Sequence, residues 1–131
     1  MQGRFILIVE DNADARDALR MLLELDGHRV ETAGEGLEAL EIARGKDPDI
    51  ALIDIGLPDL SGYEVARRIR ADLNGDVTLV AVTGYGQPED QRRAFDAGFD
   101  AHLVKPVTVE QLNETLFAIR PPAPLAASAS D

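Results

Sequence analysis

Short apolar runs alternate along this chain with stretches of helical periodicity, and this alternation restricts the fold more than any other feature. Continuous runs at 5–9, 51–53 and 77–82 suit central strands of a parallel sheet covered on both faces. The run at 28–33 alternates polar and apolar residues, as a half-exposed edge strand does. Five strand–helix pairs with right-handed crossovers predict an α/β fold, a three-layer doubly wound sandwich.

Helical segments separate the strand-like runs. Their apolar residues recur every three or four positions, in stripes that comprise Ala15, Leu19, Leu22 and Leu23, then Val65, Ala66, Ile69 and Leu73, then Leu112, Leu116 and Ile119. Ser61 and Thr108, each followed three residues later by Glu or Gln, predict capping boxes at helix starts. Pro88 predicts another first turn. The expected helix ends are glycines, which accept left-handed backbone: Gly27, Gly45, Gly75 and Gly98.

Composition limits the classes of function. The chain has 131 residues, no cysteine and a formal net charge of −11, so disulfides and thiolate metal sites are excluded. The charge opposes binding to nucleic acid and to anionic lipid. No apolar stretch approaches the roughly 20 residues of a membrane span, and the N-terminus shows no export signal. We therefore expect a cytoplasmic protein that binds neither nucleic acid nor membrane.

The end of the chain differs from the rest. Residues 121–131, PPAPLAASASD, are mostly Pro, Ala and Ser, a composition typical of a flexible tail or linker. We expect one folded domain at 1–120. The sequence leaves open whether the protein stands alone or is a piece of a longer one.

Residues with chemical function follow four of the predicted strands. Glu10 and Asp11 follow the first run, and Asp54, Thr83 and Lys105 follow three later ones. The carboxyl ends of parallel strands share one edge of the sheet, where ligands bind. The sequence therefore predicts a site that holds a divalent cation and a phosphoryl group.

Each residue type suits a role in phosphoryl transfer. A carboxylate at Asp54 can attack phosphorus and become an aspartyl phosphate. Close carboxylates repel one another unless a cation neutralises them, and oxygen ligands suit Mg²⁺. Lys105 can stabilise charge on phosphoryl oxygens, and Thr83 can donate a hydrogen bond.

Four motifs carry a resemblance to a known family. VEDN at 9–12, LIDIGLPDLSGYE at 52–64, VTGYG at 82–86 and LVKP at 103–106 resemble the receiver domain of bacterial two-component response regulators. The resemblance covers about residues 4–119. It implies a flavodoxin-like (βα)₅ domain with sheet order 2-1-3-4-5. It also implies a phosphoryl donor, either a sensor histidine kinase or a histidine phosphotransfer protein, and Mg²⁺ as cofactor.

The resemblance assigns a role to each site residue. Asp54 would be the phosphoacceptor, Asp11 a direct metal ligand and Glu10 a ligand through metal-bound water. The roles of the others are implied in the same way: metal coordination by the backbone carbonyl of Gly56, phosphoryl contact by Lys105, a cis peptide at Pro106 and a switch hydroxyl on Thr83. A downstream partner would bind the surface made by the fourth helix, the fifth strand and the fifth helix.

Two positions bear on the switch. Many family members have Tyr or Phe three residues before the lysine, whereas this chain has His102, so we expect signalling without a full aromatic swing. Tyr85 occupies a position that affects access to the phosphoryl group. The stretch 82–107 is similar in style to receivers of hybrid histidine kinases.

Three other functions are weaker alternatives. A Mg²⁺-dependent phosphatase or phosphonatase usually has a second Asp two residues after its nucleophile, where this chain has Gly56. A flavodoxin-like binding module needs a phosphate-cradling first loop, and Glu10 with Asp11 would repel phosphate. A degenerate receiver used only for protein contacts is disfavoured because the acidic pair, Asp54, Thr83 and Lys105 are all present.

Other prominent side chains are expected to serve the fold. Phe95 and Phe99 are predicted to lie in the core. Arg67, Arg68 and Arg70 are predicted to form a solvated helix face, and Asp59 and Asp72 are predicted to be surface charges.

Overall fold

The computed structural model describes residues 3–73, 77–84 and 88–119. Five parallel strands form one sheet in the order β2-β1-β3-β4-β5, as expected. The strands are β1 (Phe5–Val9), β2 (Arg29–Ala33), β3 (Ile50–Asp54), β4 (Thr78–Thr83) and β5 (Ala101–Val104). The helices that alternate with them are α1 (Ala13–Leu25), α2 (Gly36–Lys46), α3 (Gly62–Leu73), α4 (Pro88–Ala97) and α5 (Val109–Ile119).

The apolar runs form the buried centre of the sheet. All five residues of β3 and all six of β4 are buried, because helices cover both faces of these strands. On one face, alternate residues of the sheet pack against α2, α3 and α4, and on the other face the intervening residues pack against α1 and α5. β2 lies at an edge and is only partly buried. The predicted three-layer fold is confirmed.

The helix starts agree with the sequence signals. Ser61 Oγ accepts the backbone N–H of Glu64 at 3.2 Å. Thr108 Oγ1 accepts the N–H of Gln111 at 3.1 Å, and the Gln111 side chain accepts the N–H of Thr108 at 3.2 Å. α4 begins at Pro88.

The observed helix ends agree only in part with the glycines predicted to end the helices. Gly27 and Gly98 have φ of 90° and 107°, so they adopt the left-handed backbone expected of helix-ending glycines. Gly45 does not end α2 but lies inside it. Asp47, with φ of 53°, ends that helix, since aspartate also tolerates this region. Gly75 lies outside the described residues, as do Tyr85 and the predicted tail at 121–131.

Two predictions about individual side chains were wrong. Phe99 is 3% exposed and belongs to the core, but Phe95 is 75% exposed on α4. Arg67 and Arg68 are solvated. Arg70 instead turns inward: its guanidinium donates to the carbonyls of Gly98 and Val77 and to Asp100 Oδ2. The long aliphatic stem of Arg70 lets the guanidinium reach the neighbouring loops. Helical periodicity in the sequence does not reveal such a contact.

The two aspartates predicted to be surface charges each hydrogen-bond to another part of the chain. Asp72 forms an exposed ion pair with Arg44 at 2.7 Å, which links α3 to the last turn of α2. Asp59 accepts two backbone N–H groups at the start of α2. Among the described helices, none combines the length and the apolar character needed to cross a membrane.

Candidate functional site

The carboxyl edge of the sheet gathers the predicted site residues. Val9 lies beside Ile53 in the sheet register, so the residues that follow them, Glu10 and Asp54, become neighbours. Carboxylate oxygens of Glu10, Asp11 and Asp54 all lie within 4.8 Å of one another. The sequence therefore placed these three acidic groups correctly.

Glu10 is the buried member of the cluster, with 2% of its surface exposed. Its Oε2 accepts the backbone N–H of Asn12 at 3.0 Å. Burial raises the pKa of Glu10, the nearby charge of Asp54 adds to this, and the bonds from Lys105 and Asn12 oppose it. A buried carboxylate of this kind favours a cationic neighbour.

Lys105 is that neighbour. Its Nζ lies 2.9 Å from Glu10 Oε1 and 3.0 Å from Asp54 Oδ2. Burial tends to lower the pKa of Lys105, but its hydrogen bonds to Glu10 and Asp54 outweigh burial and the pKa is raised. The ammonium is therefore charged and bridges two of the three carboxylates.

The backbone around Lys105 fixes the direction of its side chain. Its N–H donates to the carbonyl of Thr83 at 2.8 Å, which joins the ends of β4 and β5. The Lys105–Pro106 peptide is cis, as the resemblance implied. Thr83 is 4% exposed at the end of β4, on the same edge of the sheet.

Asp54 is held by the loop that follows it. It is 8% exposed, and its Oδ1 accepts the backbone N–H of Gly56 at 3.0 Å. Gly62 packs directly beneath: a Cβ on it would lie 2.6 Å from the Asp54 carbonyl oxygen and 2.7 Å from Ile55 Cα. Only glycine permits this close approach.

The donor set fits a hard divalent cation. Among the described side chains, three carboxylates face one ammonium here, which leaves negative charge uncompensated, and Asp11 is exposed to solvent. Oxygen donors together with access for water are what Mg²⁺ requires. Asp11, Asp54 and Glu10 would hold such an ion.

His102 lies apart from this cluster, on β5 next to α4. Within the described part of the chain, no group hydrogen-bonds its buried Nε2. Burial lowers the pKa of His102, and the charge of Asp90 opposes this. The residue borders a cavity of about 180 Å³ that Phe95 and Phe99 also line.

Sequence reasoning missed two residues that support the site. Asn12 caps α1 through its side chain, which accepts the N–H of Ala15 at 3.0 Å. Arg16 NH1 donates to the carbonyl of Glu10 at 3.0 Å. Asn12 had a readable signal, an Asn just before a helical stripe. Arg16 had none, because its contact depends on how α1 crosses the end of β1.

A parallel five-stranded sheet with three carboxylates, a hydroxyl and a lysine at its carboxyl edge defines a class, the phosphoryl-accepting signalling domains. The family model of the response regulator receiver domain matches residues 6–117. The chain belongs to this family and is a receiver domain of two-component signalling.

Individual proteins agree with this assignment. The chain is 36% identical to the polar-differentiation response regulator DivK of Brucella ovis, over 85% of this chain and 91% of that protein. It is 33% identical, with a TM-score of 0.81, to the receiver domain of sensor histidine kinase PA1611 from Pseudomonas aeruginosa PAO1, covering 88% of this chain and 96% of the other. That structure has a magnesium ion coordinated in its active-site cleft.

A third similar structure is a co-crystal. It contains the Saccharomyces cerevisiae histidine phosphotransfer signalling protein Ypd1 and the receiver domain of its downstream response regulator Ssk1. The matched chain of that structure is 30% identical to this chain, with a TM-score of 0.83, and the match covers 88% of this chain and 88% of the other.

Proposed function

We propose that this receiver accepts a phosphoryl group on Asp54, in a Mg²⁺-dependent reaction, from a phosphohistidine donor. The observation that carries the proposal is the bridge made by Lys105, whose Nζ lies 2.9 Å from Glu10 Oε1 and 3.0 Å from Asp54 Oδ2. Because this ammonium lies beside the nucleophile, it can also contact the transferred phosphoryl group.

The reaction is a displacement at phosphorus. A carboxylate oxygen of Asp54 attacks the phosphorus atom, and the bond from phosphorus to the donor imidazole nitrogen breaks with its electron pair left on the imidazole. Bound Mg²⁺ would supply charge neutralisation for the phosphoryl oxygens. Gly56 N–H orients the nucleophile, and Lys105 stabilises the charge that the phosphoryl group brings.

We infer that Asp11 and Asp54 would hold the metal directly, Glu10 through water and Gly56 through its backbone carbonyl. The acidic cluster and the magnesium ion in the PA1611 receiver favour this assignment. The same machinery would hydrolyse the aspartyl phosphate, so both phosphotransfer and dephosphorylation are self-catalysed by the domain.

The donor is a sensor histidine kinase or a histidine phosphotransfer protein. The Ypd1–Ssk1 co-crystal favours the second kind of partner for a domain of this shape. We place the protein in the cytoplasm and expect no nucleic acid or membrane partner. We assign residues 1–120 to the receiver and 121–131 to a tail or linker, as in a receiver attached to a hybrid histidine kinase or standing alone.

Phosphorylation is proposed to act through Thr83. A phosphoryl group on Asp54 would draw the Thr83 hydroxyl inward and alter the surface made by α4, β5 and α5, where a downstream partner binds. His102 replaces the usual aromatic on β5 and offers less apolar surface to rebury. The phosphoryl group can shift the balance between the inactive and active conformations only to the extent that it interacts more favourably with the active one.

Intact mass after treatment with acetyl phosphate and Mg²⁺ tests the proposal. The wild type should gain one phosphoryl mass, and Asp54→Asn should gain none. The matched control is Asp49→Asn, which lies just before the opposite end of β3 and should behave as wild type. Equal phosphorylation of Asp54→Asn and wild type would exclude Asp54 as the acceptor.

A further inference from the structure

Asp59 ties the loop after β3 to the start of α2. Its Oδ1 accepts the backbone N–H of Gly36 at 2.8 Å, and its Oδ2 accepts that of Leu37 at 3.0 Å. These N–H groups belong to the first turn of α2 and have no partner within the helix. A residue far away in sequence thus caps the helix, and Glu35, which immediately precedes α2, makes no side-chain cap bond.

The contact is packed closely on both sides. A Cβ on Gly36 would lie 2.8 Å from Val65 Cγ2, 3.1 Å from Leu60 Cβ and 3.3 Å from Asp59 Oδ1. The missing side chain at Gly36 therefore lets the loop approach the helix. The carboxylate also lies at the positive end of the helix dipole, a favourable location for negative charge.

The loop is fixed at its other end as well. Gly62 N–H donates to the carbonyl of Ile55 at 2.9 Å, beneath Asp54. Between Gly62 and the start of the loop lies Gly56, whose N–H donates to Asp54 Oδ1. The position of that N–H therefore depends on a loop held by Asp59 near its middle and by Gly62 at its end.

We propose that Asp59 is a positioning residue for phosphoryl transfer: by capping α2 it holds the loop 55–61 so that Gly56 N–H orients the Asp54 carboxylate. The inference rests on the function proposed above and adds a residue outside the acidic cluster. The bonds from Leu37 N–H and Gly36 N–H also lower the pKa of Asp59, so the cap stays ionised at neutral pH.

The test compares Asp59→Ala with Asp59→Asn and with Asp72→Ala. Asparagine keeps one acceptor oxygen in place of two, so it can retain only one of the two bonds to α2 and should rescue the cap in part. Asp72 joins α3 to α2 through Arg44 at the end remote from the site, so its removal loosens the same helix pair without touching the loop. Asp59→Ser, with a shorter acceptor, replaces the alanine variant if that variant does not fold.

Two readouts separate positioning from general stability. The first is the rate of phosphorylation by acetyl phosphate at saturating Mg²⁺, far below the melting temperature. The second is hydrogen exchange of the Gly56 amide in metal-free protein. We expect Asp59→Ala to slow phosphorylation by about tenfold, since small displacements of a reacting group cost rates of that order, and to speed Gly56 exchange by a similar factor.

Asp59→Asn should give values between those of Asp59→Ala and the wild type, because it keeps one of the two bonds, and Asp72→Ala should leave both near wild type. An unchanged rate and unchanged Gly56 exchange in Asp59→Ala would overturn the inference, as would an equal slowing in Asp72→Ala. If wild-type protein takes up no phosphoryl group, the proposed function fails, whereas Gly56 exchange still decides whether Asp59 holds the loop.

Discussion

Lys105 Nζ and Glu10 Oε1 lie 2.9 Å apart at the edge of the sheet, with Glu10 buried and Lys105 partly exposed. The ammonium also reaches Asp54, so it supplies positive charge in the acidic cluster before any metal binds. The lysine thus has a second role, which is to stabilise the metal-free fold.

Lys105→Ala should destabilise the metal-free protein, because buried Glu10 then loses its partner. The ammonium is partly solvated, which limits the expected loss to about 1–2 kcal/mol. Mg²⁺ should restore more stability in the variant than it adds to the wild type. Urea unfolding with and without Mg²⁺ measures both quantities.

The control for this comparison is Lys46→Ala, which removes an ion pair with Glu31 of similar length, 2.8 Å. That pair is exposed and lies away from the cluster, so its loss should cost under about 1 kcal/mol. Its response to Mg²⁺ should match that of the wild type. Equal Mg²⁺ effects in both lysine variants would argue against a shared cluster.

Mg²⁺ should raise the melting temperature of the wild type, since it binds the folded site and not the unfolded chain. Asp11→Asn should abolish most of the rise by removing one of the three clustered carboxylates. Asp14→Asn removes the same charge from the nearby first turn of α1 and should keep the rise. Thermal melts over a Mg²⁺ series give the comparison, and a full rise in Asp11→Asn would contradict it.

The cluster could be predicted from sequence because the strand ends determine it. Parallel strands bring residues that are distant in sequence, such as Glu10, Asp54 and Lys105, to one edge whatever the details of packing. The contacts of Arg70 and Asp59 could not be predicted in this way. They depend on where loops from different strand–helix units meet, and neither periodicity nor capping rules contain that information.

Two glycines should respond in opposite ways to alanine. Gly62→Ala should cost about 1–3 kcal/mol or more, because its Cβ would clash with backbone atoms that cannot move aside easily. Gly45→Ala should stabilise the protein by up to about 1 kcal/mol, because it lies inside α2 and no described neighbouring atom lies within 4 Å of the added Cβ. Urea unfolding of both variants checks the signs, and a stabilised Gly62→Ala would refute the close approach.

Phe95 and Phe99 form a second matched pair. Phe99→Ala should lose about 3 kcal/mol, as for a buried aromatic. Phe95→Ser should change stability by less than about 0.5 kcal/mol, because the ring is mostly exposed on α4. The sequence does not distinguish them, since they are four residues apart, as two residues on one helix face are, whereas in the structure Phe99 lies beyond the end of α4. Comparable losses in the two variants would place Phe95 in the core after all.

The last prediction concerns pH. Burial lowers the pKa of His102 in the folded protein, whereas the pKa of a histidine in the unfolded chain is about 6.5. Between the two pKa values the unfolded chain binds a proton that the folded chain does not. Stability therefore falls as pH decreases from about 6.5 toward the folded pKa.

His102→Phe should remove this contribution and flatten the loss of stability between about pH 7.5 and pH 5.5. Phenylalanine also eliminates Nε2, which has no hydrogen-bond partner among the described residues, so stability at the higher pH should rise by about 1 kcal/mol. Other groups with shifted pKa values, among them His28 and Glu10, are present in both proteins, so their contributions cancel in the difference between them. Urea unfolding at both pH values supplies that difference, and an identical pH dependence in variant and wild type would show that His102 does not titrate as its burial implies.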